Sequence, residues 1–411
     1  SRLLRKENEI LDFNGMSMMN TPNANRLHIA LYGKRNSGKS SLINALTGQD
    51  TAIVSDTPGT TTDLVSKAME IHGIGPCLFI DTPGVDDEGT LGELRIERTM
   101  KAMEKTDVAL VLCHDLLSPY ETDLLKRLKE KGIPAVLVLN KIDLLDNAEL
   151  RADAIEAQCG LRPVPVSAKE GRGMDRIREA VLGKIPSDFG VQHITGNLVA
   201  ENDLVLLVMP QDIQAPKGRL ILPQVQTIRE LLDKKCVVVS CTTDKMQETL
   251  QALARAPKLI ITDSQVFKTV YEQKPEASRL TSFSVLFAGF KGDIHYFVES
   301  AAAIESLTPS SRVLIAEACA HAPLTEDIGR VKLPRLLRNR IGEELQIDMV
   351  SGTDFPADLS PYDLVIHCGA CMFNRKYVLH RVEQTKNQQV PMTNYGVALA
   401  YLSGILNKIE Y

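Results

Sequence analysis

The chain has 411 residues, with 47 Lys and Arg against 52 Asp and Glu for a formal net charge of −5. A composition of 44% hydrophobic and 24% charged residues fits a folded globular protein, and the length exceeds one core, so about three domains are expected. The mild acidity argues against a dedicated nucleic-acid binder, eight cysteines are too sparse for a disulfide scaffold, and no apolar run is long enough to span a bilayer. A soluble, intracellular, multidomain protein is expected.

Residues 1–25 are polar, lack a clean period and read as a tail with no fold; a natural start at Met16, Met18 or Met19 would make what precedes it an extension. The opening stretch has no apolar h-region and does not read as a secretory signal. From Arg26 onward, short apolar runs alternate with helical stretches. LHIALYG, CLFIDT, VALVLC and AVLVLN read as strands of a buried parallel sheet, continuous in Val, Ile and Leu. SSLINALTG, GELRIERTMKAMEK and ETDLLKRLKEKG read as the intervening helices, the last stopped by Gly132. IPSDFG closes this unit. A second unit has strands DLVLLVMP, CVVVSC and LIIT with helices QVQTIRELLD and DKMQETLQALARA. A third begins near Ser282, with strands expected at SVLFAGF, RVLIAEA, LQIDMV and DLVIHC. The expected fold class is α/β with three domains at 26–186, 187–273 and 274–411, a P-loop domain followed by two α/β domains with largely parallel sheets.

GKRNSGKS, from Gly33 to Ser40, matches G-x4-G-K-S between a strand and a helix. Gly33 and Gly38 let backbone N–H groups wrap phosphate oxygens at a helix N-terminus. Lys39 would reach the β- and γ-phosphates and Ser40 would hold Mg2+. Asn36, Ser37 and Ser41 belong to the same phosphate-binding stretch. In DTPG, Asp81 ends a strand and can hold magnesium through water, while the Gly84 N–H can sense the γ-phosphate. In NKID, from Asn140 and Lys141 to Asp143, the Asp143 carboxylate can accept two hydrogen bonds from guanine N1 and N2, which adenine does not supply. Ser167, Ala168 and Lys169 then bring the Ala168 N–H near guanine O6. Four motifs in this order read as a GTP site.

This unit resembles the translation-factor-class GTPases of the Era and TrmE type. PGTTTD is similar to their first switch, which implies Thr61, ahead of Thr62, closing over Mg2+ in the GTP state. Val85 stands where Ras-like proteins carry a water-orienting Gln, so no side chain to activate water is visible there. Asn36 sits where potassium-stimulated members keep Asn, which implies a bound K+ partly replacing an arginine finger. Hydrolysis is therefore expected to be slow and regulatory. Asp86, Asp87 and Glu88 read as a solvated switch face.

Cys77, Cys113, Cys159, Cys236 and Cys241 lie singly and read as small core residues. The other three differ. Cys319-Ala-His321 follows the strand RVLIAEA, and His367-Cys368-Gly-Ala-Cys371 follows DLVI. If both strands are parallel members of one sheet, both motifs emerge at the same carboxyl edge, where open α/β sheets bind ligands. Gly369 and Ala370 are small enough to let Cys368 and Cys371 aim at one metal. Thiolate chemistry alone leaves two metals open, a structural zinc or a 4Fe–4S cluster with one exposed iron.

A potassium-type GTPase followed by CxH and HCxxC resembles the FeFe-hydrogenase maturation GTPase (HydF) family, from Asn20 to the end of the chain. The resemblance implies a GTPase domain, a central dimerisation domain and a cluster-binding domain, with Cys319, Cys368 and Cys371 holding a 4Fe–4S cluster. Glu326, His321 and His367 are candidates for the exchangeable fourth position. Glu326 ranks first, because a carboxylate is easily displaced from a cluster, and the histidines are also read as donors to cluster sulfurs. The implied role is a scaffold or carrier that receives a di-iron precursor from radical-SAM maturases and delivers it to apo FeFe-hydrogenase. It would act as a homodimer or dimer of dimers in a reducing, anaerobic cytoplasm, with no membrane or nucleic-acid partner. The alternative is a ribosome-assembly or tRNA-modifying GTPase with a structural zinc module. The absence of Trp, 5% aromatic residues and no basic C-terminal module disfavour it.

Overall fold

The structure is a computed structural model that describes residues 22–47, 53–57, 65–71, 73–83, 90–187, 189–190, 192–210, 220–318, 328–370 and 373–411. The chain divides into two compact units, residues 1–191 and 192–411.

The first unit is built on seven strands: β1 (Leu27–Gly33), β2 (Ile53–Thr57), β3 (Val65–Ile71), β4 (Gly75–Asp81), β5 (Val108–Cys113), β6 (Ala135–Leu139) and β7 (Val164–Pro165). They lie in the order β2-β3-β4-β1-β5-β6-β7. β4, β1, β5, β6 and β7 are parallel, while β3 runs antiparallel to both β2 and β4. Every residue of β1 and β5 is buried, because helices cover both faces of the parallel core. Alternate side chains feed opposite cores: Ile29 and Leu31 pack with Leu42 and Ile177, whereas Ala30 and Tyr32 pack with Leu124 and Leu128.

Local signals hold at the helix ends. The helix Pro119–Glu130 opens on a capping box between Ser118 and Glu121. It ends at Gly132, whose φ is +60°, with the Ile133 N–H donated to the Leu128 carbonyl at 2.8 Å. Residues 1–21 of the expected tail lie outside the described residues. The last part of that tail is ordered: Asn23–Asn25 form a 3-10 turn with Ala24 buried. The Asn23 carbonyl lies 2.8 Å from His28 Nε2, which ties the turn to β1.

The second unit contains two all-parallel four-stranded sheets. β8 (Leu204–Val208), β9 (Val237–Cys241), β10 (Leu259–Thr262) and β11 (Arg279–Ser282) lie in the order β11-β10-β8-β9. Pairing of Leu259–Thr262 with Arg279–Ser282 carries this sheet past residue 273. β12 (Arg312–Glu317), β13 (Gln346–Ser351), β14 (Leu364–His367) and β15 (Met392–Asn394) lie in the order β13-β12-β14-β15. The sheets share one core, in which Leu206 and Ile260 join Leu314 and Val365 through Val285, Phe297 and Val397.

One expected strand is a helix. SVLFAGF falls within the helix Phe283–Lys291. Phe283, Leu286 and Phe287 face the core of the first sheet, while Val285 and Ala288 face the shared core. A short helix buried on both sides has the continuous apolar run of a buried strand, so periodicity does not separate the two. Among the described residues no helix is long and apolar enough to cross a membrane.

Candidate functional site

The phosphate loop begins where β1 ends and runs into the helix Lys39–Thr47. Asn36 turns the loop with φ +61° and its side chain is exposed. Gly38 has φ +93°, and a Cβ there would collide with the Asn140 amide, so the loop passes this point only as glycine. Lys39 is buried and its Nζ donates to the Gly33 and Lys34 carbonyls, each at 3.0 Å, which curls the ammonium over the loop. Ser40 Oγ donates to Asp81 Oδ2 at 2.9 Å, joining the loop to the end of β4. Ser37 Oγ and Asp81 Oδ1 are buried without a hydrogen-bond partner among the described residues. Buried polar atoms are normally satisfied. These two, beside the Lys39 ammonium and the Ser40 hydroxyl, form a donor set that fits a phosphate and a hydrated divalent cation. Ser41 is exposed on the first helical turn. Thr61, Thr62, Gly84, Val85 and the three acidic residues after it lie outside the described residues.

The base-recognition motifs join the same construction. Asn140, at the end of β6, is buried; its Nδ2 donates to the Ser37 carbonyl at 2.9 Å and its Oδ1 accepts the Ala168 N–H at 3.0 Å. Lys141 follows with φ +62°, a left-handed turn that directs the chain from the buried Asn140 to the half-buried Asp143. Ser167 Oγ donates to Asp143 Oδ1 at 2.6 Å. That hydrogen bond, with Lys169 and Arg172 adding attraction, holds the carboxyl below the usual carboxylate range. The site thus presents an ionised acceptor beside the Ala168 amide. Lys169 is exposed.

In the second unit, β12 and β14 are parallel neighbours with Ala316 opposite His367. The order reverses between them, since β13 lies on the far side of β12, so their carboxyl ends form a switch-point crevice. Cys368 sits at this edge, and its Sγ accepts the Ala318 N–H at 3.0 Å and the Ala370 N–H at 3.4 Å. Two backbone donors on one sulfur suit a thiolate, the form that binds metal. Ala370 turns the chain with φ +50°. Cys319, His321, Glu326 and Cys371 lie outside the described residues. Among the described residues no three His, Cys, Asp or Glu side chains group as a metal site.

His367 is 1% exposed, with Nδ1 at 2.7 Å from the Cys368 carbonyl and Nε2 at 2.7 Å from Arg381 Nη1. Burial, followed by the Arg381 charge, pushes its pKa down to about 3, so the ring is neutral. Arg381 is the residue that sequence reading missed. The second Arg of the helical stretch RKYVLHRVEQTK carries no signal of burial beyond its i, i+4 spacing from Tyr377. The other cysteines behave as core residues where they are most buried: burial pushes the Cys77 and Cys113 thiols up to about 12. Cys236 is buried as well, and Cys159 and Cys241 are half-buried.

Three family models match the chain: a 50S ribosome-binding GTPase over residues 28–141, the hydrogen maturase F dimerization domain over 194–292, and the hydrogen maturase F tetramerization domain over 295–410. The tRNA modification GTPase MnmE of Bordetella petrii is 40% identical over 160 residues, 38% of this chain and 33% of that protein. The MnmE of Laribacter hongkongensis is 38% identical over 159 residues, 38% of this chain and 34% of that protein. The chain thus spans about a third of the length of these curated relatives, and the likeness is that of the GTPase domain. Among solved structures, a variant of Aquifex aeolicus Era bound to GDP and AlF4− matches at 20% identity and a TM-score of 0.33, covering 55% of this chain and 98% of that one. With a GTPase domain at its N-terminal end and both hydrogen maturase F domains behind it, the chain belongs to the hydrogen maturase F family.

Proposed function

We propose that the chain is a GTP-hydrolysing scaffold that carries a 4Fe–4S cluster with an exchangeable fourth iron position, and that it assembles or delivers the di-iron subcluster of FeFe-hydrogenase. The pairing of β12 with β14 carries this reading, because the chain leading to Cys319 and the chain bearing Cys368 leave the same sheet edge side by side. Cys319, Cys368 and Cys371 are the proposed thiolate ligands. The cluster would supply one iron whose remaining ligand is replaceable. Both ring nitrogens of His367 are engaged, one by the Cys368 carbonyl and one by Arg381, so His367 supports Cys368 from behind. Glu326, ahead of His321, is proposed for the replaceable position.

At the nucleotide, Lys39 is assigned to the β- and γ-phosphates, Ser40 and Thr61 to Mg2+, Asp81 to a magnesium-bound water, and Gly84 to the γ-phosphate. Asn36 is assigned to K+, and Asp143 with Ala168 to guanine. With no visible side chain to activate water, turnover is slow and gates partner exchange. The proposed partners are radical-SAM maturases, apo FeFe-hydrogenase and a second copy of this chain.

The test is in vitro activation of apo-hydrogenase by this protein, purified anaerobically from cells with and without the other maturases. Activation only by protein from cells containing them, together with broad absorption near ~400 nm, supports the carrier reading. A colourless protein holding one zinc overturns it in favour of a GTPase with a structural metal module.

A further inference from the structure

Arg381 lies within the helix Arg375–Asn387 and is only 2% exposed. Three rings box its guanidinium, with centroids at 4.6 Å for Phe355, 4.7 Å for Tyr377 and 5.2 Å for Phe373. Nη2 donates to the Gly352 carbonyl at 2.6 Å and to Tyr377 Oη at 3.1 Å, and Nη1 donates to His367 Nε2 at 2.7 Å. Nε is buried without a hydrogen-bond partner among the described residues. No carboxylate among the described residues ion-pairs with Arg381; the nearby ion pairs Arg330–Glu317 and Lys386–Asp293 satisfy other charges.

Arginine cannot shed its charge, and a buried cation without an anion is costly. The ring faces soften that cost but supply no counter-charge. A planar guanidinium stacks and forks in this box as an ammonium cannot. Because a guanidinium only donates, His367 Nε2 must accept, which puts the ring proton on Nδ1 and directs it to the Cys368 carbonyl. Arg381, His367 and the Cys368 peptide therefore form one directional chain that ends at the residue whose sulfur faces the sheet edge.

We infer that Arg381 is a positioning residue for the Cys368 ligand: through His367 it fixes the Cys368 peptide, and its charge, sealed from water and without an ion-pair partner among the described residues, favours the more negative, reduced state of an iron–sulfur centre bound there. This rests on the iron–sulfur reading above. A fixed charge in a dry interior acts with little screening, and net charge with surrounding hydrogen bonds sets the potential of such centres. Removing the charge should make reduction harder.

The experiment compares full-length wild type, Arg381→Leu, Arg381→Lys and His367→Asn, purified anaerobically. Far-UV circular dichroism and thermal melts check folding. Iron and sulfide content measure loading, and a redox titration followed by electron paramagnetic resonance measures the midpoint potential. Arg381→Leu should titrate at a more negative potential and lose iron on gel filtration. Arg381→Lys, which keeps the charge without the fork, should titrate between Arg381→Leu and wild type. His367→Asn replaces the ring by a shorter amide that cannot span from Arg381 to the Cys368 carbonyl and should also shift the midpoint, which keeps the test decisive if Arg381→Leu does not fold. Folded variants that all titrate at the wild-type potential overturn the inference. A wild type without iron and sulfide instead overturns the iron–sulfur reading, so the two failures are distinct.

Discussion

Asn140 and Ser37, far apart in sequence, are joined at 2.9 Å by the Asn140 Nδ2 donating to the Ser37 carbonyl. The same side chain accepts the Ala168 amide at 3.0 Å, so the phosphate loop and the base-reading loops form one hydrogen-bonded piece. A residue of the base motif thereby holds the phosphate loop in place.

Asn140→Ala should weaken GTP and GDP together. The change strands a buried carbonyl and a buried N–H, each worth about 1–3 kcal/mol when left unsatisfied. Part of that cost appears as lost stability and part as affinity, so nucleotide binding should weaken by about 10–100-fold, with 1.4 kcal/mol per factor of ten. Isothermal titration calorimetry with a thermal melt measures both parts. Unchanged affinity would show that the two loops hold their places without the bridge.

Asp143→Asn should exchange guanine for xanthine. A carboxylate accepts from both N1–H and the exocyclic amine, whereas an amide offers one acceptor and one donor, the match for a base with a carbonyl in place of that amine. In the wild type, the Ser167 hydrogen bond keeps Asp143 ionised below the usual carboxylate range. A lowered pKa keeps the charged acceptor fully present above the ordinary value of about 3.9 and loses it only as pH falls through the lowered value. GTP affinity should therefore be flat from about pH 8 to about pH 5 in wild type, while Ser167→Ala should begin to lose affinity at a higher pH than wild type. Fluorescent-nucleotide titrations across pH check this, and a Ser167→Ala profile identical to wild type would refute the role given to Ser167.

The first unit was largely legible because its signals are local. The strand before Gly33, the helix after it and the Gly132 stop are set by neighbouring residues, and β5 and β6 follow from unbroken apolar runs, while β1 is apolar but for His28. The second unit yields less to such reading, since its burial comes from two sheets closing on the same helices. SVLFAGF is apolar all round because sheet cores lie on both sides of it, a tertiary fact with no local period. At the crevice, the Cys368 motif announces itself by spacing. Arg381 does not, because what makes it notable is the ring box, assembled from Phe355, Phe373 and Tyr377, and the lack of a paired carboxylate among the described residues.

Potassium should speed GTP hydrolysis if Asn36 helps hold it beside the phosphates. Asn36 is exposed on a left-handed turn of the loop, with its side chain available to a ligand at the loop's outer edge. Turnover measured at equal ionic strength in KCl and NaCl should be faster in KCl, and Asn36→Ala should erase that difference while retaining nucleotide binding. Equal rates in both salts for wild type would remove the cation from Asn36.

We propose β9, at the edge of its sheet among the described residues, as the seam with a second copy. Among the described residues it pairs only with β8, and Val237 on it is 49% exposed, beside a helix on which Leu232 and Val225 are exposed too. An apolar open edge invites pairing, and a charge on it blocks pairing. Val237→Lys should shift the protein toward monomer in light scattering after gel filtration, with an unchanged melt at low concentration. A variant that elutes with the wild-type mass places the seam elsewhere.

Cys368→Ser tests the ligand with the fewest side effects on the fold. Serine keeps the size and can still accept the Ala318 and Ala370 amides that now point at the sulfur, so the turn after β14 should survive. Its oxygen is a much poorer iron ligand than a thiolate, because soft sulfur suits the cluster and a neutral hydroxyl does not. Iron and sulfide should therefore fall well below wild type while GTP turnover persists, since every residue assigned to the nucleotide lies in the first unit. If iron content stays at the wild-type level in the folded variant, Cys368 leaves the ligand set and the two amides on its sulfur are structural bonds alone.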